Sequence, residues 1–127
     1  MFGKKVNKID TRIDTLVSPE TVISGDVFFS GGLRVDGNIR GNVQEQEGAQ
    51  GTIIVGENGR IEGTVSASKI VLIGSVVGPV KAGEFIELQA KARITGDLRY
   101  KSLEMHMGAV IDGKLVHTEN SETDETI

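Results

Sequence analysis

The chain has 127 residues, 38% of them hydrophobic, a formal net charge of -4 and no cysteine, which suits one domain and excludes disulfides, thiolate nucleophiles and Cys-ligated zinc. Glycine is abundant at 17 residues and aromatics are scarce at 4%, so a core must be built from Ile, Val and Leu; with only 2 prolines and no G-X-Y period, collagen is excluded as well. The charge is mixed along most of the chain, and no basic field is large enough to attract nucleic acid.

In chain order, MFGKKVNKIDTR comes first, with Lys4, Lys5, Lys8 and Arg12 against Asp10. It has no apolar h-region behind it, no stretch of the sequence reaches membrane-span length, and a cytosolic address is expected. Residues 1–16 are read as a flexible basic tail. A five-residue phrase then returns: ISGDV (23–27), IRGNV (39–43), IEGTV (61–65), VGPV (77–80), ITGDL (94–98) and IDGKL (111–115). Its glycines, Gly25, Gly41, Gly63, Gly78, Gly96 and Gly113, are 16, 22, 15, 18 and 17 residues apart. The long interval contains QEQEGAQG (44–51), read as a surface loop that widens one coil without supporting it.

A period near 17 suits a coil of three short strands. Within one period GRIEGTV, KIVLI and VVGPV follow one another, and in the next EFIEL, ARITGDL and SLEMHM. About six such coils over residues 17–116 predict an all-β, single-stranded parallel β-helix of roughly triangular section. At about 4.8 Å per coil the rod would be roughly 29 Å long. Ile23, Ile39, Ile61, Val77, Ile94 and Ile111 are expected to form one inward stack, and Val27, Val43, Val65, Val80, Leu98 and Leu115 another. The glycines would stack between them where a narrow or tightly bent coil leaves no room for a Cβ. Residues 117–127, with Glu119, Glu122, Asp124 and Glu125, read as a disordered acidic tail.

With SGDVFFSGGLRVDGNIRGNV (24–43) and the IEGTV, ITGDL and IDGKL phrases in hand, the chain resembles the bactofilins, small bacterial polymer-forming cytoskeletal proteins. The resemblance implies a right-handed β-helix that assembles end to end into filaments without nucleotide or other cofactor. It also implies that MFGKK attaches to the inner face of the cell membrane, with Phe2 inserted at the interface and Lys4 and Lys5 on anionic lipid head groups, each lysine worth about 1 kcal/mol. Many such hooks on one polymer would add up by avidity. Envelope-associated proteins are the expected further partners.

No catalytic, cofactor-binding or metal-ligating set is expected. His106 and His117 have no ligand at the spacing of a known metal motif and are expected at the surface, and neither GxGxxG nor a P-loop is present. A hexapeptide-repeat acyltransferase would need a clean six-residue phase, which is missing; a fixed-size β-helical binding module is the nonenzymatic alternative. The polymer reading needs uncapped ends. Val22, Phe28 and Phe29 are expected at one end and Val110, Leu115 and Val116 at the other.

Overall fold

Isoleucine, a polar residue and glycine, then a polar residue and valine, make a corner: two short strands meet at the glycine and the aliphatic residues on either side turn inward. In the computed structural model, which describes residues 12–119, this corner recurs on every coil. The chain enters on β1 (Thr15–Val17) and makes a first circuit through β2 (Val22–Ser24), β3 (Val27–Phe29) and β4 (Gly32–Val35). It continues through β5 (Asn38–Arg40), β6 (Val43–Glu45) and β7 (Thr52–Val55), then β8 (Arg60–Glu62) and β9 (Val65–Leu72). The remaining strands are β10 (Ser75–Val77), β11 (Val80–Leu88), β12 (Arg93–Thr95), β13 (Leu98–Met105), β14 (Val110–Asp112) and β15 (Leu115–His117).

All the pairings are parallel, and they build a right-handed solenoid of about six turns with three faces. The first face is a six-stranded sheet of β2, β5, β8, β10, β12 and β14. The second and third faces belong to one bent nine-stranded sheet, because β9, β11 and β13 each run across the corner between them. β3, β6 and β15 lie on the second face; β1, β4 and β7 lie on the third. Turns closed by Thr21 N–H to Ser18 O, Gly59 N–H to Gly56 O, Ala92 N–H to Gln89 O and Ala109 N–H to His106 O carry the chain from the third face back to the first.

The interior is a set of aliphatic columns. Ile23, Ile39, Ile61, Val76, Ile94 and Ile111 are in register on the first face. This corrects one expectation: Val76, not Val77, is the inward member, and Val77 pairs with Glu62 and Thr95. The phrase there is VVGPV, and counting from its second valine shifts the phase by one residue, which turns a strand position to the other face. The second-face column, Val27 through Leu115, forms as expected. On the third face Leu33, Ile53, Ile70, Ile86 and Leu103 stack beside Val17, Val35, Val55, Leu72, Leu88 and Met105. Each fully covered aliphatic residue contributes about 1.5–3 kcal/mol by leaving water.

The glycines do stack, but for a different reason from the one expected. A Cβ on Gly63 would collide with the carbonyl oxygen of Gly41, one on Gly78 with that of Gly63, and one on Gly113 with that of Gly96. The forbidden direction runs along the rod, at the backbone of the preceding coil, rather than into a narrow interior. At Gly78 and Gly96 φ is +146°, which side chains rarely adopt.

Loop 44–51 also needs correction. Gln44 and Glu45 belong to β6, so the excursion begins at Gln46, and its base is braced. Glu45 Oε1 accepts hydrogen bonds from Gly51 N–H at 2.7 Å and Ser68 N–H at 3.0 Å, and Ser68 Oγ lies 3.0 Å from both carboxylate oxygens. The corner of one coil is thereby tied to the next.

Candidate assembly ends

A rung inside the rod has neighbours on both sides, and the first and last rungs have one each. Among the described residues, β1, β2 and β3 at the N-terminal end pair with a following strand only; at the C-terminal end the same holds, with a preceding strand only, for β14, β15 and the third-face half of β13. Within those residues both ends therefore carry unpaired backbone edges, the usual template for another chain.

Of the residues expected at the N-terminal end, Val22 and Phe28 are exposed, Phe28 by 61%. Phe29 is not at the surface. It is 6% exposed and belongs to the interior cluster, with its ring where a Cβ on Gly51 would have to go. Alternation along β3 turns Val27 and Phe29 inward and leaves Phe28 outside. At the C-terminal end Val110 and Leu115 are exposed and Val116 is half-buried. Leu16 on the first rung and Met105 on the last are exposed too, and sequence reasoning missed them; aligning Leu72, Leu88 and Met105 on the third face would have found the second.

The outward columns show where the apolar residues fall. On the first face the register reads Val22, Asn38, Arg60, Ser75, Arg93, Val110. On the second it reads Phe28, Gln44, Ser66, Lys81, Arg99, Val116. In both, the members are polar except on the terminal rungs. Gly25 fits the same picture, because a Cβ there would meet nothing within 4 Å.

Side chains reinforce the rung-to-rung ladder at the residue after the glycine. Asp26 Oδ1 accepts from Asn42 N–H at 2.9 Å, Asn42 Oδ1 from Thr64 N–H at 2.9 Å, and Asp97 Oδ1 from Lys114 N–H at 2.9 Å. Along the surface, Arg60 Nε lies 2.8 Å from Glu62 Oε2, and this hydrogen bond holds the Glu62 carboxyl below its ordinary pKa. His106 is exposed as expected, with Nε2 at 3.0 Å from Glu104 and 3.2 Å from Glu87. It bridges two carboxylates that the register stacks on adjacent rungs. Phe2, Lys4 and Lys5, with the rest of residues 1–11 and 120–127, lie outside the described residues.

A solenoid whose terminal rungs expose apolar side chains beside strand edges with no partner among the described residues defines a class: a structural module that can be extended by further copies. Residues 15–116 match the bactofilin family, described as polymer-forming cytoskeletal, and the chain belongs to it. Two relatives are bactofilins of Myxococcus xanthus strain DK1622. BacP is 29% identical over 89% of this chain and 45% of its own length, and BacO 22% over 80% and 78%. The chain thus spans under half the length of the first of them. Among solved structures, a Thermus thermophilus bactofilin in double helical filaments, reconstructed by cryo-EM, has a TM-score of 0.74 at 35% identity, covering 82% of this chain and 99% of that one. The cytoskeletal bactofilin BacA, solved by solid-state NMR, has a TM-score of 0.71 at 31% identity, covering 82% and 95%. The family's description, polymer-forming cytoskeletal, is that of a structural rather than a catalytic protein.

Proposed function

We propose that this chain polymerises end to end, without nucleotide, into filaments that lie on the cytoplasmic face of the cell membrane and serve as a scaffold for envelope-associated or shape-determining proteins. One observation carries the assembly step: in the outward columns from Val22 to Val110 on the first face and from Phe28 to Val116 on the second, the apolar members stand on the terminal rungs, beside strand edges that have no partner among the described residues. Joining two ends buries both. Growth need not stop after one addition, since every added copy brings another end.

Membrane attachment is assigned to Phe2, Lys4 and Lys5. The support is their composition, one aromatic ring followed by two cations, which suits an anionic interface.

Electron microscopy with light scattering, on purified protein without nucleotide, tests the first step. The intact chain should form filaments. Leu115→Arg should give small folded species, because a charge would be buried without a partner at the junction. A monodisperse intact chain at all concentrations, whether a fixed dimer or trimer or a monomer, would overturn the reading. Cosedimentation with anionic vesicles tests the second step: removing residues 2–5 should reduce binding while leaving filaments unchanged, and high salt should weaken binding of the intact chain. Undiminished binding after the deletion would place the anchor elsewhere.

A further inference from the structure

The third face differs from the other two in a way that neither core packing nor end-to-end assembly requires. Its outward column reads Leu16, Arg34, Ile54, Val71, Glu87, Glu104, so two adjacent middle rungs carry aliphatic side chains, where the first face has the single outward Val77 and the second-face column is polar. Phe85 stands beside them, in register with Lys69. Ile54 and Val71 point away from the interior, since Ile53, Val55, Ile70 and Leu72 are the inward members of those strands, and neither belongs to the interior cluster. Even so, they are only 7% and 8% exposed. A sheet face that is apolar on its outer side is the pattern of a sheet covered on both sides.

We infer that the third face is a docking surface for residues 1–11 of the same chain, whose apolar side chains lie over Ile54, Val71 and Phe85 while the lysines reach Glu87 and Glu104. The chain joins the rod at the right place. Arg12 lines a recess with Gly51, Thr52, Ser68 and Lys69, and Thr52 and Lys69 are the outward residues two positions before Ile54 and Val71 on the same strands. The reach is sufficient. From the rung of Arg12, beside Gly32, to Glu104 is five rung steps, about 24 Å; three extended residues, 9–11, followed by a helical 2–8 cover roughly 20 Å, and a lysine side chain bridges the last rung.

The chemistry matches as well. Phe2, Val6 and Ile9 are four and three residues apart, the spacing of one helical side, with Lys4, Lys5 and Lys8 between them. Residues 120–127 carry Glu122, Asp124 and Glu125 and no cation, so they would bring like charge against Glu87 and Glu104. The third face of a second copy would bring the same acidic pair. The consequence for attachment rests on the proposed membrane role: a segment seated on the third face cannot also hold lipid, so docking and membrane binding compete.

The absence of cysteine makes the test direct. In the full chain, Val6→Cys combined with Phe85→Cys should link within one molecule under a short bismaleimide, read by mass spectrometry of the monomer band. Val6→Cys with Lys81→Cys on the second face should link several-fold less, and so should Ile127→Cys with Phe85→Cys. Reversing the acidic pair, Glu87→Lys with Glu104→Lys, should cut the Val6 to Phe85 yield several-fold without touching the interior. Three results would overturn the inference: no Val6 to Phe85 link, an equal yield at Lys81 or from Ile127, or links found only between chains when single-cysteine proteins are mixed. In the second arm, the charge-reversed protein without added cysteines should bind phosphatidylserine vesicles more than the unaltered chain, by the inverse of the undocked fraction. If the link forms but no variant binds vesicles, docking stands and the membrane reading falls.

Discussion

Leu98 and Leu115 are in register on adjacent rungs of the same column, yet Leu98 is 0% exposed and Leu115 is 49% exposed. Ile94 and Ile111 repeat the contrast one face away, fully covered and half-buried. Both pairs sit in the same five-residue phrase on the same backbone. In these columns, then, the same residue is core when a rung lies on each side of it and partly uncovered on the last rung, where the interior has no further coil over it. Gly63 and Gly25 show the steric version: a Cβ on the first strikes the preceding coil, and a Cβ on the second meets open space.

The largest effect should come from Gly63→Val, which sets a branched side chain against the Gly41 carbonyl. A loss of at least about 3 kcal/mol is expected in denaturant unfolding, since backbone must move to relieve the overlap. Gly25→Ala should cost only about 1 kcal/mol, from its φ of +134°. Its methyl group points off the open end, so it should slow filament growth while the isolated chain stays folded. Equal midpoints for the two variants would break the comparison between middle and end.

Next in size is the phase test within the middle. Val76→Ala should destabilise by about 2 kcal/mol through the cavity it leaves. Val77→Ala, on the outward side, should stay within about 0.5 kcal/mol. Reversed values would restore the phase expected from the sequence. Smaller again, Glu45→Ala should cost about 1.5 kcal/mol by releasing Gly51 and Ser68. Glu47→Ala in the same excursion should leave the thermal midpoint unchanged, and a matching drop would mean that the loop as a whole, rather than its braced base, supports the coil.

Much of this fold could be read before any coordinates, because the glycine phrase marks one corner per coil and fixes which neighbours face in. The second-face column followed without error. The first-face column slipped only at Val77, where two valines precede the glycine and the spacing alone does not choose between them. Phe29 lies on the first rung, as expected, but inside the rod, the side to which alternation from Val27 already turns it. Other features depend on register between distant coils. Glu45 and Ser68 are 23 residues apart, and a carboxylate beside a polar loop reads as loop. Glu87 and His106 meet only because β11 and β13 are adjacent. The outward Ile54 and Val71 did leave a trace, since TIIV is apolar at each position after the threonine, the mark of a strand covered on both sides.

Because the strands lie crosswise, the hydrogen bonds between rungs run along the rod, and a pull on its two ends loads all the bonds of one rung boundary together. Within the molecule that boundary is strengthened where Asp97 reaches the amide of Lys114. Lys114 occupies the same place on the last rung and has no side-chain oxygen to pass the link onward. A junction made at Lys114 would lack that link, and so do the two internal boundaries beside Pro79, which has neither an N–H to donate nor a side-chain oxygen to accept, so tension would find its weak points at the junctions and at that one rung.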